Sequence, residues 1–358
     1  MKYLSVLTLV IFLFSHTSYA CSMYKITQDG KTIVGNNEDY INANTEVWFV
    51  PAGDNLYGVM NLGFDNGFAQ GAVNEAGLMF DGFAMPYLKV KNFKGKTKVS
   101  GNELIAPIMN SYSTVLQVKE HLSKIDLRFL DNSMLVFVDK SGAYLIVEGD
   151  ELVIGDDAEK SFSNFYPSQN PDHEKVNIPM YQKGLKHLKA SESKPTFDYC
   201  GSVMNNFQQV ITQYTSIYDL QEGKIRLYHY QNFDDFVELD LSEELKKGKH
   251  KLSIPSMFSK DTKGYEYYEI YNDVDALISH FESEWINESK GLDTQAKKNL
   301  ESRTSQILAL IANEYAYKKD DKNGAIKIYG LILKLFPENK NAEKNLTKLK
   351  KKPWQFWK

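Results

Sequence analysis

Cys21 is the residue of this chain whose position points most directly to chemistry. The residues before it have the parts of a secretory signal peptide. Lys2 supplies a positive charge, and Leu4 to Phe14 form an apolar run too short to cross a bilayer. Ser18-Tyr19-Ala20 offers small residues at the two positions that a signal peptidase reads. Cleavage there makes Cys21 the first residue of the mature protein, so that a nucleophilic thiol and a basic α-amine share one residue.

Two other interpretations of Cys21 stay open at this stage. A lipoprotein would carry acyl chains on this cysteine, although the sequence before it lacks the usual aliphatic residue three positions upstream. A disulfide to Cys200, the only other cysteine, would be compatible with an exported protein.

An acidic cluster is predicted to lie beside the new N-terminus. Asp29-Gly30 separates two strand-like runs and is a strong hairpin signal. A two-residue turn there pairs residue i with residue 59 − i, which sets Cys21 opposite Glu38, with Asp39 next to it. A nearby carboxylate would orient the α-amine. Because one bulge shifts the register by a residue, this argument does not choose between Glu38 and Asp39.

Composition and charge narrow the class of protein. The 358 residues are 42% hydrophobic and 25% charged, with a net charge of −4, which argues against a nucleic-acid partner. No run after residue 20 is long and apolar enough to span a membrane. The seven histidines show no ligand spacing, so neither a metal nor a cofactor is expected. The sequence therefore predicts an exported protein, periplasmic or secreted, with lipid anchoring as the alternative.

The chain divides into a β-rich part and a helical part. After the signal peptide (1–20), residues 21–255 show short strand patterns, one long helical pattern over Glu103 to Ile125 and late hairpins. Residues 256–358 are helical by pattern, over Val274 to Trp285, Gln295 to Tyr317, Gly324 to Phe336 and Asn341 to Leu349. The end of the segment Gln295 to Tyr317, together with Gly324 to Phe336, resembles one tetratricopeptide-type helical hairpin. A single hairpin of this kind cannot bury its own apolar face. We expect it to pack on its neighbours; binding of a protein partner and homo-oligomerisation stay open.

Several segments in order resemble one known family. They are Cys21, Asp29-Gly30, Gly35 to Tyr40, Gly71 to Leu78, Val136 to Glu148, Phe162 to Phe165 and Tyr214 to Leu220. Together these resemble the linear-amide hydrolases of the N-terminal-nucleophile superfamily, which include choloylglycine hydrolases, penicillin V acylases and related acyltransferases. The resemblance implies an α+β fold, a four-layer αββα sandwich, here followed by an all-α extension.

The resemblance also implies site residues. Cys21 would be the nucleophile and Asp39 the carboxylate that holds its amine. The side-chain amide of Asn164 and the backbone N–H near Ala84 would stabilise the oxyanion. Asn36 and Asn74 are expected near the substrate, Asn74 mainly as a turn residue that shapes the site.

The chain departs from the family in its arginines. The family often has arginine where Asn36 stands, and several members carry another after the position of Asn164, where this chain has none before Tyr218. The expected substrate is thus a small N-acyl amide of unspecified acyl group. Two alternatives remain: an acyltransferase that uses the same site, or a non-catalytic, lipid-anchored binding protein.

Overall fold

The computed structural model describes residues 21–350, so the predicted signal peptide and the last eight residues lie outside the described part. The strands in this part are β1 (Ser22–Gln28), β2 (Lys31–Asp39), β3 (Thr45–Val50), β4 (Val59–Phe64), β5 (Ala69–Asn74), β6 (Met79–Ala84), β7 (Ser133–Val138), β8 (Tyr144–Glu148), β9 (Glu151–Gly155), β10 (Glu159–Ser163), β11 (Thr212–Asp219), β12 (Lys224–His229), β13 (Val237–Asp240) and β14 (His250–Ser253).

The α-helices of the same range are α1 (Ile105–Ser111), α2 (Val115–Leu122), α3 (Pro179–Ala190), α4 (Phe197–Phe207), α5 (Leu241–Lys246), α6 (Lys263–Asn272), α7 (Val274–Glu288), α8 (Thr294–Tyr317), α9 (Lys322–Leu335) and α10 (Lys340–Lys350). No helix within residues 21–350 is long and apolar enough to cross a membrane.

The strands form two antiparallel sheets. The first has the order β10-β1-β2-β11-β12-β13 and the second the order β14-β3-β4-β5-β6-β7-β8-β9. One apolar core, to which β1, β2 and β11 of the first sheet and β3 to β8 of the second contribute, lies between the sheets. Helices α3 and α4 pack on the outer face of the first sheet, and α1 and α2 on that of the second. The predicted α+β class with two packed sheets between helices is confirmed.

The first hairpin forms as its sequence predicts. Asp29 and Gly30 both have positive φ angles, 53° and 77°, as a two-residue hairpin turn that follows the strand twist requires. The resulting register pairs Ser22 with Asn37, whose residue numbers add up to 59 as predicted. The N-terminal end of β1 is thereby fixed beside the C-terminal end of β2.

The prediction of one helix over Glu103 to Ile125 is wrong. Helix α1 ends at Ser111, and α2 begins anew after Thr114. The hydroxyl of Thr114 accepts a hydrogen bond from the backbone N–H of Gln117, whose side chain in turn accepts from the backbone N–H of Thr114. This reciprocal capping box starts a second helix and interrupts the first pattern.

The C-terminal helices form a second core that reaches the sheet domain. Apolar residues of α7, α8 and α9 cluster with Ile41, Ala43 and Ile211, which flank the ends of β2 and β11. The hydroxyl of Tyr40 donates a hydrogen bond to the carboxylate of Glu314 in α8. The helices therefore contact the segment that directly follows Asp39. Their tetratricopeptide-like character and the boundary at residue 255 stay predictions.

Candidate active site

Cys21 lies directly before β1, a strand with neighbours on both sides. Ser22 pairs with Asn37 of β2 and with Ser163 of β10. One further step along these registers sets Cys21 between Glu38 and Asn164. The hydroxyl of Ser163 donates to the carbonyl oxygen of Cys21 at 3.0 Å and fixes the backbone there. Only 8% of Cys21 is exposed.

The Cys21 thiol has an environment that disfavours its thiolate form. Burial raises the pKa of the thiol well above its usual range, and the charges of Glu38, Asp39 and Asp81 raise it further. One interaction acts the other way: the backbone N–H of Asp39 donates a hydrogen bond to the sulphur and lowers the pKa. In the unprocessed chain, where Cys21 is in peptide linkage, the group is a protonated thiol. Its activation therefore needs a base that takes the thiol proton.

The carboxylate of Asp39 is held by side chains at the start of β11. One of its oxygens accepts from the hydroxyl of Thr212, and the other accepts from the amide of Gln209 at 2.8 Å. Burial raises the pKa of Asp39 to about 7, against the effect of these two hydrogen bonds. Asp39 thus has a fixed side chain and a backbone N–H directed at the Cys21 sulphur.

Glu38 lies on the opposite face of β2, the one that points between the sheets. Its cross-strand partner Tyr214 belongs to the core between the sheets, as does Cys21. Oε2 of Glu38 has no hydrogen-bond partner, and burial, followed by the charge of Asp39, raises the pKa of Glu38 to about 8. The strand alternation therefore separates the two candidate carboxylates: Glu38 shares the face of Cys21 and Asp39 does not.

Asp81 joins this group from the second sheet, and sequence reasoning missed it. It lies on β6 between Met79 and Phe83, which belong to the same core between the sheets. Its side chain is fully buried and neither carboxyl oxygen has a hydrogen-bond partner. Burial and the charge of Glu38 raise its pKa well above the usual range, against the effect of the nearby backbone N–H of Gly82. The available signal was an acidic residue at an inward position of an apolar strand.

Asn164 and Ala84 are in direct contact. Nδ2 of Asn164 donates to the carbonyl oxygen of Ala84 at 2.5 Å, while Oδ1 of Asn164 has no partner. The N–H of Met85 bonds to β7 through the carbonyl of Asn132, and alternate residues of an antiparallel strand bond to the same neighbour. The N–H of Ala84 therefore points away from β7, on the same side as its carbonyl. The two predicted oxyanion donors lie close together.

The two asparagines expected near the substrate have different surroundings. Asn36 precedes Glu38 by two residues on β2, so its side chain lies on the same face of the strand as that of Glu38. Its buried Oδ1 has no hydrogen-bond partner. Asn74 donates both of its amide hydrogens, to the carbonyls of Met109 and Tyr112, and accepts from the N–H of Leu78. These bonds tie β5 to α1 and use both donors, so Asn74 shapes the fold and has no donor left for a substrate.

The second cysteine does not pair with the first. Both thiols are free, and Cys200 lies in α4 on the outer face of the first sheet, among apolar residues that raise its pKa. Sγ of Cys200 is 2.7 Å from where a side chain on Gly35 of β2 would begin, so β2 lies between Cys200 and the core that contains Cys21. The disulfide alternative is contradicted.

No arginine takes the place of those seen in the family. The three arginines form ion pairs elsewhere: Arg128 with Asp126, Arg226 with Asp198 and Glu238, and Arg303 with Glu288. Within residues 21–350, no three histidine, cysteine or acidic side chains are grouped as a metal site would require. The polar groups around Cys21 are acidic or neutral.

Comparison with solved structures assigns the fold to a class. The chain shares its fold with a penicillin V acylase from Agrobacterium tumefaciens, with a TM-score of 0.52 and 15% identity, over 65% of this chain and 91% of that one. Two variants of a conjugated bile acid hydrolase from Clostridium perfringens also match, each with a TM-score of 0.49 and 18% identity, over 65% of this chain and 96% of theirs. No family model matches the sequence, and no curated protein matches it. The resemblance stated from the sequence is thus confirmed for the fold.

Proposed function

We propose that the mature chain is an exported cysteine amidohydrolase that cleaves the linear C–N amide bond of an N-acyl substrate. The observation that carries this proposal is the position of Cys21. It directly precedes a central strand, is buried between two sheets, and its sulphur accepts a hydrogen bond from the backbone of Asp39. The penicillin V acylase fold around it supports this assignment.

The proposed reaction begins with the thiol. Its sulphur adds to the amide carbon while its proton passes to the neutral α-amine of Cys21, and the carbonyl oxygen becomes an oxyanion. The C–N bond then breaks, the proton moves from the α-amine to the departing nitrogen, and a thioester remains on Cys21. Water, activated by the same amine, adds to the thioester and releases the carboxylic acid and the free thiol.

Two donors are suited to the oxyanion. The N–H of Ala84 points away from β7, and Nδ2 of Asn164 lies against the Ala84 carbonyl. A small rotation of the Asn164 side chain would turn its second amide hydrogen toward a bound substrate. Loss of one such donor typically costs about 3 kcal/mol of transition-state stabilisation.

Asp39 is proposed as the residue that orients the α-amine. Its carboxylate is fixed by Thr212 and Gln209, and its own backbone N–H contacts the Cys21 sulphur. A carboxylate at contact distance favours the charged form of an amine, whereas the reaction needs the neutral form. Asp39 is therefore expected to act by orientation, and amine and thiol should titrate as a coupled pair.

Paired substitutions of the cysteines test the proposal. Cys21→Ser should lose turnover of N-acyl amides by about a thousandfold or more while the protein still folds. Cys200→Ser, the matched control, should keep most activity and lose about 1 to 3 kcal/mol of stability because it buries a hydroxyl among apolar side chains. Turnover retained in Cys21→Ser would refute the nucleophile. Preferential transfer of the acyl group to an added amine would indicate the acyltransferase.

A further inference from the structure

The space between the sheets beside Cys21 contains buried oxygen atoms that have no partner. Both carboxyl oxygens of Asp81, Oε2 of Glu38, Oδ1 of Asn36 and the hydroxyl of Tyr214 make no hydrogen bond. All four residues are at most 4% exposed. They come from three strands, β2 and β11 of one sheet and β6 of the other. Because an unpaired buried polar group costs free energy, such a set requires an explanation.

Most of these atoms are hydrogen-bond acceptors. The oxygens of Asp81, Glu38 and Asn36 are acceptors when the carboxyls are ionised. The Tyr214 hydroxyl is a donor, and so is the buried hydroxyl of Ser216, which lies opposite Asn36 on β11 and also has no partner. Within the described part of the chain, no lysine, arginine or histidine is among the groups that shift the pKa of Glu38 or Asp81. The site therefore lacks positive charge.

The α-amine of mature Cys21 supplies at most one positive charge. Three carboxylates act on the Cys21 thiol, and hydrogen bonds from Thr212 and Gln209 compensate Asp39. Glu38 and Asp81 remain, and the amine must be neutral when it accepts the thiol proton. At the reacting stage the protein residues described offer neither carboxyl a counter-charge, so both favour the protonated form until a cation binds.

We propose that the substrate itself carries a protonated primary amine, which binds between Glu38 and Asp81 and donates hydrogen bonds to their oxygens and to Oδ1 of Asn36. This inference rests on the proposed amidohydrolase function and adds the substrate class. An ammonium group brings three N–H donors for these acceptor oxygens and the positive charge that the site lacks. The amine belongs either to the acyl group or to the leaving group.

Two isosteric pairs of amides distinguish these sources with the mature enzyme. The acyl-side pair is the 4-nitroanilide of 6-aminohexanoic acid and that of heptanoic acid. The amine-side pair is N-(5-aminopentyl)butanamide and N-hexylbutanamide. In each pair an ammonium group replaces a methyl group of similar size. We expect kcat/KM to favour the cationic member of one pair by about tenfold or more. Equal or reversed preference in both pairs overturns the inference.

Substitutions connect the preference to these residues. Asp81→Asn should abolish the preference, measured as the ratio of kcat/KM between the two members of a pair. Glu38→Gln is the second variant should Asp81→Asn fold poorly. Glu244→Gln removes a buried carboxylate that pairs with Lys247 and His250 in another part of the fold, and it should keep the preference. A preference unchanged in both Asp81→Asn and Glu38→Gln contradicts the assignment.

A binding measurement separates this inference from the amidohydrolase proposal. Pentylammonium, but not 1-pentanol, should slow alkylation of Cys21 by iodoacetamide, and Asp81→Asn should remove this protection. Protection without turnover of any amide would refute the amidohydrolase and leave the cation site. Turnover of neutral amides without cation preference or protection would refute the cation site and leave the amidohydrolase.

Discussion

Glu38 and Asp81 belong to different sheets, yet the charge of Glu38 raises the pKa of Asp81 across the space between them. Neither carboxyl forms an ion pair with a cation in the described part of the chain. Cys21 lies beside them and its thiol pKa is raised by both. The chemistry proposed for Cys21 therefore takes place beside two buried acids that have no counter-charge, and its consequences are measurable.

The two neighbouring acids on β2 should behave differently when neutralised. Asp39→Asn keeps a hydrogen-bonding side chain beside Thr212 and Gln209 but removes the charge that we propose orients the α-amine. We expect kcat with a neutral amide to fall by about a hundredfold, the scale of a misoriented base. Glu38→Gln should change this kcat much less. The reverse order, measured by steady-state kinetics on folded proteins, would transfer the orienting role to Glu38.

Removal of the proposed oxyanion donor should affect rate more than stability. Asn164→Ala loses the bond from Nδ2 to the Ala84 carbonyl, and its Oδ1 is already without a partner. We expect kcat to fall by about a hundredfold to a thousandfold, and the melting temperature to change little. The matched change Asn74→Ala should do the opposite, because Asn74 ties β5 to α1. A large loss of stability with unchanged kcat in Asn164→Ala would exclude the oxyanion role.

The buried acids predict that stability of the unprocessed chain falls as pH rises. Burial raises the pKa of Asp39 to about 7 and of Glu38 to about 8, whereas unfolded carboxyls titrate near 4. The folded state then binds more protons, so the free energy of unfolding decreases as pH rises through the folded pKa values.

The window from pH 6.5 to 8 isolates this effect. His229, whose pKa burial lowers to about 4, and Lys25, whose pKa is lowered to about 8, contribute equally to the wild-type chain and to Glu38→Gln, so their effects cancel in the comparison. We expect Glu38→Gln to remove about 1 to 2 kcal/mol of the loss across this window in urea unfolding. If the free energy of unfolding changes with pH by the same amount in the wild-type chain and in Glu38→Gln, Glu38 is not protonated in the folded chain.

The C-terminal helices should be needed for folding of the sheet domain. They cover Ile41, Ala43 and Ile211 and bond to Tyr40 through Glu314. A chain ending after residue 258 would expose this apolar surface next to Asp39, and we expect it to aggregate or to melt well below the full chain. Circular dichroism and solubility measure this. A soluble truncated chain in which Cys21 is still acylated would show that the helices are dispensable.

The features that local sequence determines were predictable. Asp29-Gly30 dictates a two-residue turn, and the turn alone sets the register that brings Cys21 to Glu38. The break at Thr114 was missed because a capping box competes with an apolar helical pattern that continues across it. Helix α4 was not predicted either, although it covers the outer face of the first sheet.

Asp81 could not be placed from the sequence because its importance depends on how two sheets pack. Strand alternation indicates that it points with Met79 and Phe83, but not that Glu38 lies opposite. The same holds for Thr212 and Gln209, which reach Asp39 from a segment about 170 residues away in sequence. Contacts between sheets and between distant strands require the tertiary structure.

Mass spectrometry of the exported protein tests the central claim most directly. The protein is purified after export, incubated with an N-acyl amide that it turns over, and quenched with acid before intact-mass and peptide analysis. We predict a mature chain that begins at Cys21 with a free amine and carries one acyl group as a thioester on that residue. A diacylglyceryl-modified Cys21, a chain that begins elsewhere, or an acyl group on another residue would contradict the account.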